Sequence, residues 1–341
     1  MTSFAKATFD VAGYLASRPT YPPRIFDIIT SFHARGGRFD RALDLGCGPG
    51  FVALALAPHF KQITALDPSS GMISKGLQPS DPSLPRIQYR VGNAEHLDDP
   101  ATGIGAGEEG VDLVVAGQAA HWFDYPKVWK QLTRSVRPGG TVAFIGYAEM
   151  VFPNHDSLNP LISHHARHPS ALGPHWQPGR RIVEALLDPV PFPTRPAPDT
   201  ALVASLPPLT PGHGAPIASK VDEPVLAIPP GHGLEFDADE WDGTTAVRLK
   251  GDDTAPWLMR KTFKMDQLET YFRSFSALHE YHEKHPKDRA RKGRGAEGDI
   301  VDRLMGKVVQ GLKADGPRGG EEQGEVEVGW PLVLMMIKKR A

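Results

Sequence analysis

Apolar and polar positions along the first 150 residues alternate between two periods. Short apolar runs open "RALDLGCG", "QITALDPS", "IQYRVGNAEHL" and "VDLVVAGQAAHWF", and these read as strands. Between and around them, "YPPRIFDIITSFHARGG", "FVALALAPHF", "MISKGLQP" and "YPKVWKQLTRSV" carry helical patterns. The first of these has prolines near its start and glycines at its end, the usual punctuation of a helix. "PGGTVAFIGYA" adds a turn and a fifth strand. Strand–helix alternation of this kind predicts an α/β fold, with a central, mostly parallel sheet covered by helices on both faces. Its ligand crevice is then expected beyond the carboxyl ends of the strands, where the strand order reverses.

After about Met150 the pattern changes. Residues 189–232 are dense in proline and show no sustained period, so loop or disorder is expected there. Helical spacing returns through Leu268, Tyr271, Phe272, Phe275 and Leu278. "KHPKDRARKGRGAEGD" reads as a charged hinge, "IVDRLMGKVVQGLKA" as a further helix, and "GEVEVGWPLVLMMIKKR" as two strands or a hairpin returning to the sheet.

Composition narrows the class. The chain has 341 residues, 40% of them hydrophobic, with 35 Gly and 33 Pro, which is a core with abundant loops. A formal net charge of −2 gives no reason to expect nucleic acid or an anionic membrane as partner. The single cysteine, Cys47, excludes an internal disulfide and fits a reducing compartment. With no apolar run of signal-peptide or membrane-span type, a cytoplasmic protein is expected.

The chemistry begins at "ALDLGCGPGFVALALA", where Gly46, Gly48 and Gly50 stand between an apolar strand and an apolar helix. Glycines there let the main chain approach a ligand closely, and the helix start offers unpaired N–H groups. Two ligand families use such a unit: dinucleotides and S-adenosylmethionine. The dinucleotide fingerprint is G-x-G-x-x-G, whereas this loop is G-x-G-x-G, and Pro49 removes one N–H that a pyrophosphate would use. S-adenosylmethionine carries no phosphate, and Asp44 suits a ligand with an ammonium group. Asp67, ending the second strand, is placed to take both hydroxyls of a ribose, which either ligand presents. The segments "GNAEHL", "GQAAHWF" and "VRPGGTVAF" follow in the order in which a methyltransferase places its adenine contacts, substrate edge and fifth strand.

At these residues the sequence resembles the class I S-adenosylmethionine-dependent methyltransferases and their Rossmann-like fold. Within them it is similar to the fungal trans-aconitate methyltransferase type. The narrower likeness rests on the Tyr14…Arg18-Pro19…Tyr21-Pro22 pattern, "AHWFD", "GYAEMVFP", "LGPHWQPGR", "FRSFSALHEY" and "VEVGWPLVLMMIKKR". The resemblance implies N-terminal lid helices over 1–40, a cofactor core over 41–150 and a substrate cap over 151–320 with the insert 189–232. C-terminal strands over 321–341 would complete the sheet. The cofactor set it implies is Tyr14, Arg18, Asp44, Gly46, Gly48, Gly50, Asp67, Pro68, Met72, Asn93, Ala94, Glu95 and Gln118. Asn93 departs from the aspartate that often reads the adenine amino group, with Glu95 as the compensating acid. The proline-rich insert and "LEFDADEWDGTTAV" are additions, so part of the cap is expected to be rebuilt.

His121 is expected to position the acceptor or act as base, while Trp122, Tyr147, Trp176, Arg180, Arg181 and Arg273 are expected to bind substrate. Arginines suit a carboxylate substrate because their fork pairs with it in two places. Each has a plainer reading: core packing for the aromatics, solvated surface for the arginines. His279 shares a predicted helix with Arg273. "HHARH" (164–168) aligns His164 with His168 but lacks a completing ligand, and "FDADEWDG" fails the calcium-loop spacing, so no metal is expected. The basic run at 284–294 reads as a solvated turn, and Cys47 as packing. The leading expectation is methylation of a carboxylate oxygen of a small, trans-aconitate-like organic acid to a methyl ester. The alternatives are O- or N-methylation of a fungal secondary metabolite or xenobiotic, a non-catalytic cofactor-binding regulator, and an NAD-dependent dehydrogenase.

Overall fold

The computed structural model describes residues 19–195, 200–206, 238–250, 258–322 and 324–341. It divides into two compact units. Of the described residues, one comprises 20–148, 181–195, 200–206, 238–250 and 332–341, and the other 19, 149–180, 258–322 and 324–331.

The first unit is built on helix α1 (Pro23–His33) and strands β1 (Arg41–Leu45), β2 (Gln62–Asp67), β3 (Ile87–Val91), β4 (Val111–Gly117) and β5 (Val136–Tyr147). Helix α2 (Phe51–Leu56) follows β1, the short α3 (Ser70–Ile73) follows β2, and α4 (Tyr125–Ser135) precedes β5. In α1 the spacing of Ile25, Phe26, Ile28, Ile29 and Phe32 puts them all on the buried face, with proline at the first turn. Six consecutive residues of β4 are buried, as a central parallel strand with both faces covered requires.

Two further strands, β6 (Trp241–Lys250) and part of β8 (Glu325–Lys339), complete the sheet in the order β3-β2-β1-β4-β5-β8-β6. Strands β1 to β5 pair in parallel, while β8 runs antiparallel to β5 and to β6. The order reverses between β1 and β4, so the crevice lies beyond their carboxyl ends.

The structure departs from the expected elements of the sheet in three places. The turn expected at "PGG" lies inside β5, where the register on β4 slips between Val111↔Val136 and Leu113↔Thr141. Gly139, at φ 75°, supplies the left-handed residue for that bulge. The C-terminal segment is one 15-residue strand rather than two strands or a hairpin. Trp241–Lys250, read as a rebuilt part of the cap, is β6. It is held there by Trp241, whose ring meets Trp129 edge-on at 5.4 Å and whose Nε1–H donates to Thr133 Oγ1 at 2.8 Å. Lys250 Nζ reaches Asp188 at 2.7 Å and Arg248 Nη2 donates to the Val190 carbonyl at 2.8 Å, which fastens the start of the proline-rich stretch to the same strand. Most of that stretch, residues 196–199 and 207–232, lies outside the described residues.

The second unit contains β7 (Leu258–Lys264), paired antiparallel with Glu325–Pro331 of β8, and helices α5 (Asn159–Arg167), α6 (Met265–Arg273), α7 (Ser276–Lys284) and α8 (Ile300–Asp315). Phe263, Tyr271, Phe272 and Trp330 form its aromatic core, with Trp330 Nε1–H donating to the Tyr271 hydroxyl at 2.8 Å. Part of the expected charged hinge is helical, over Pro286–Arg289, and Asp288 from that turn pairs with Arg303 of α8 at 2.8 Å.

Trp241 is fully buried and its indole is both packed and hydrogen-bonded, so Trp241→Ala is expected to cost about 3–5 kcal/mol. Denaturant unfolding of the variant checks this. A loss below about 1 kcal/mol, the scale of a surface substitution, would mean that β6 is not part of the core.

Candidate functional site

The crevice is built around the turn from β1 into α2. Gly46, Gly48 and Gly50 all take left-handed φ, at 65°, 53° and 97°. At Gly50 a side chain would collide with the Tyr89 hydroxyl, whereas a Cβ at Gly48 would meet nothing within 4 Å. Gly48 is therefore the open face of the loop. Asp44, near the end of β1, is 0% exposed. Its Oδ2 accepts the Ala53 N–H of α2 at 3.0 Å, while its buried Oδ1 has no hydrogen-bond partner. Burial pushes this carboxyl up to about 8, the nearby Asp67 adds to the rise, and the Ala53 N–H opposes it. An uncompensated buried carboxylate oxygen is costly unless a proton or a cationic partner joins it.

Asp67 stands across the loop at the end of β2. Its Oδ2 accepts the Gly48 N–H at 2.9 Å and its Oδ1 accepts the Ser69 N–H at 2.8 Å. Each oxygen keeps a second lone pair for a ligand hydroxyl. Burial raises this carboxyl too, against the two N–H donors. Cys47, between the two acids, is buried, and its thiol is pushed well above its usual range by burial and then by both carboxylates. That makes it a poor nucleophile.

The remaining residues of the expected cofactor set differ in their surroundings. Pro68 is exposed, and Met72 is buried in α3, whose start is capped by Ser69. Asn93 is exposed and precedes the short turn Ala94–His96, in which Ala94 is buried. Glu95 Oε1 accepts the Asp124 N–H at 3.0 Å. Gln118 is engaged in the sheet. It takes φ 52°, its Nε2 donates to the Tyr147 carbonyl at 3.0 Å, and its Oε1 accepts the Tyr147 N–H at 2.9 Å. The side-chain amide thus continues the β4–β5 ladder by one rung, which sequence spacing did not reveal. Tyr14 and Arg18 lie outside the described residues.

His121 and Trp122 sit in the turn Ala120–Trp122 beyond β4, with rings 4.7 Å apart, and Trp122 is 36% exposed. Tyr147 ends β5, buried, with its ring 6.4 Å from that of Tyr21. These three belong to the same unit as the glycine loop, as does the exposed Arg181. Trp176, Arg180 and Arg273 belong to the other unit. There Trp176 Nε1–H donates to the Ala166 carbonyl at 2.7 Å, and Arg180 lies over its ring at 4.4 Å. Arg180 also pairs with Glu149 at 3.1 Å, and Arg167 meets the same carboxylate at 3.3 Å. Arg273 gives its guanidinium to Glu269, Asp299 and Asp302 at 2.6, 2.8 and 2.6 Å. That geometry ties α6 to the start of α8 and offers no support for Arg273 as a substrate anchor. His279 pairs with Glu283 at 3.0 Å. His164 and His168 stack at 4.2 Å, and among the described residues no group of three or more His, Cys, Asp or Glu is placed to hold a metal. Also among these residues, no helix is long and apolar enough to cross a membrane.

Comparison with known proteins agrees with this geometry. The methyltransferase domain family matches residues 43–144. A Dictyostelium discoideum protein named as a methyltransferase is 30% identical over 172 residues, 50% of this chain and 59% of that protein. A Saccharomyces cerevisiae protein named as an S-adenosylmethionine-dependent methyltransferase is 31% identical over 159 residues, 44% of this chain and 50% of that one. The chain thus spans about half the length of the curated relatives it matches. A solved structure from Anaeromyxobacter dehalogenans, titled as a type II methyltransferase, superposes with a TM-score of 0.57 at 21% identity, covering 94% of this chain and 97% of that one. The sheet and its flanking helices form a Rossmann-like methyltransferase fold shared with that structure, with the glycine loop inside the segment that the domain family matches.

The raised carboxyl of Asp44 makes a prediction about stability. The folded chain keeps this proton up to pH of about 8, whereas the unfolded chain releases it near the ordinary 3.8. Between those values the folded state binds more protons, so this group's contribution to stability falls as pH rises. Asp44→Asn cannot titrate, and its stability relative to the parent is expected to grow as pH is raised from about 5 to about 8. Paired denaturant titrations check it, because the difference cancels His33, held down to about 4, and Lys338, held down to about 8. A difference that does not change with pH would overturn it.

Proposed function

We propose that this chain is an S-adenosylmethionine-dependent methyltransferase of a small-molecule acceptor, and that a carboxylate oxygen of an organic acid is the atom methylated. The observation that carries the cofactor reading is the pair of acids at the glycine loop. Asp44 buries an oxygen without a partner, Asp67 faces it across the loop, and Pro49 withholds an N–H. A buried acid that stays neutral up to pH of about 8 ionises readily only beside a cation, and a pyrophosphate brings none, which disfavours a dinucleotide. A ligand with an ammonium group and a sulfonium suits both acids.

When bound, S-adenosylmethionine supplies a methyl group activated by positively charged sulfur. Asp44 and the Gly48 face of the loop would orient its amino-acid end, and Asp67 would take the ribose hydroxyls on its remaining lone pairs. The buried Met72 and Ala94 would provide apolar walls, with the exposed Asn93 at their edge. Trp122 and Tyr147 would exclude water and align the acceptor, which is most of what an in-line displacement asks of a protein. A carboxylate acceptor, with a reference pKa of about 4, is already ionised at neutral pH and needs no base. His121 would serve as base only for a hydroxyl or amine acceptor.

A second reading keeps the cofactor and changes the acceptor to a less acidic small molecule, methylated at oxygen or nitrogen. It is favoured by Arg273, which spends its guanidinium on three carboxylates, and by the Glu149 carboxylate that pairs with Arg167 and Arg180.

Calorimetric titration with S-adenosylmethionine, S-adenosylhomocysteine and NAD tests the proposal, with Asp67→Ala beside the parent. The first two are expected to bind the parent and to bind the variant at least about tenfold more weakly, a loss of about 1.4 kcal/mol. Mass spectrometry of reactions with a panel of di- and tricarboxylic acids is expected to show methyl esters. Esters absent from that panel but methyl ethers or methylamines formed from phenols or amines would favour the second reading. Binding without any turnover would favour a regulator, and binding of NAD alone would overturn the assignment.

A further inference from the structure

Tyr89 lies outside every expected site set, yet it reaches the glycine loop from β3. Its ring fills the space between two glycines. A side chain at Gly50 would collide with the hydroxyl, and a Cβ at Gly76 would fall 2.6 Å from the ring's Cδ2. The hydroxyl donates to the Leu77 carbonyl at 2.6 Å and lies 3.1 Å from the Pro49 carbonyl. That Pro49 carbonyl also accepts the Leu77 N–H at 2.9 Å. One phenol therefore braces the loop residue next to Gly48 against the turn that follows α3. It does so at the point where proline has removed the loop's own donor.

We propose that Tyr89 is a positioning residue for the cofactor loop, holding Pro49 and Gly50 so that the open face of Gly48 and the Gly48–Asp67 hydrogen bond keep the arrangement a ligand needs. This rests on the reading above that the loop holds S-adenosylmethionine. The residue does not touch the reacting atoms; it acts through the loop. Burial, then the nearby Cys47 and the acid Asp44, push its phenol above the usual range, so it stays a neutral donor.

The loop glycines divide the labour. Gly48 faces open space, whereas Gly50 makes room for the phenol from behind, so loosening the phenol acts on the ligand face only by moving the backbone between them. The effect should therefore fall on affinity. It should be equal for S-adenosylmethionine and S-adenosylhomocysteine, which share the parts that the loop would hold.

The test uses the full chain and two variants. Tyr89→Phe removes the hydroxyl and keeps the ring. Gly76→Ala keeps the hydroxyl and crowds the ring. Calorimetric dissociation constants for S-adenosylmethionine and S-adenosylhomocysteine are expected to rise in parallel by about fivefold in Tyr89→Phe, the usual worth of one hydrogen bond. They should move in the same direction in Gly76→Ala. Hydrogen exchange at the Gly48 and Gly50 amides, measured without ligand, is expected to quicken in both. Affinities and loop exchange unchanged in both variants, even with a lowered melting temperature, would mean that Tyr89 only packs, and would overturn the proposal. If the parent protein binds neither compound, the cofactor reading falls and this proposal with it. Loss of binding in the variants alone, with quickened exchange, supports both.

Discussion

A carboxylate buried at the head of a helix organises this protein. Asp44 cannot be solvated, so it accepts the Ala53 N–H that the start of α2 leaves unpaired. That bond sets where α2 begins relative to β1, and the chain between them has to turn within a few residues. The turn is made with three left-handed residues, all glycine. Asp67 then anchors the turn from β2 through the Gly48 N–H, and Tyr89 braces it from β3. Three neighbouring strands therefore converge on one loop. A second oxygen of Asp44 left unpartnered works against the fold, and such local cost gathers where ligands bind.

The sheet around this loop is assembled from distant parts of the chain. Strands β1 to β5 come from one continuous stretch, but β8 arrives from the C-terminal segment and β6 from beyond the proline-rich region. Inserting an antiparallel β8 between β5 and β6 places four consecutive buried residues, Val333 to Met336, between two ladders. It also gives Lys338 a buried seat, with its amine donating to the His33 carbonyl at 3.0 Å and lying 3.4 Å from Thr141. Burial rather than pairing governs that lysine, which is why its pKa is lowered.

Much of the fold was legible because its signals are local. Apolar runs, helix punctuation and the glycine loop all lie within a few residues of what they specify, so β1 to β5 and the crevice followed from the sequence. β6 did not, because "FDADEW" reads as acidic surface and the strand's order comes from Trp129 and Thr133, more than a hundred residues away. β8 reads as two strands or a hairpin from the sequence, whereas it is one strand that changes partner at Pro331, where the ladder with β7 ends. At the site, the acids and glycines were recognisable by type and spacing. The use made of Gln118, Tyr89 and Arg273 was not, since each depends on partners brought in by folding. Arg273 illustrates this: a sequence displays a cation on a helix, but not the Asp299 and Asp302 that folding brings against it.

The single sulfur atom held as a thiol lies inside this loop. Cys47 is buried, its N–H donates to the Leu66 carbonyl at 2.9 Å, and its thiol is held in the unreactive protonated form by burial and by two acids. A thiol reagent needs both access and the thiolate, so its reaction is slow while the loop stays seated on β2 and is faster when the loop opens. The chain therefore carries a clock within its glycine loop. The rate of that one chemical event counts loop openings, in the native protein and without any introduced label.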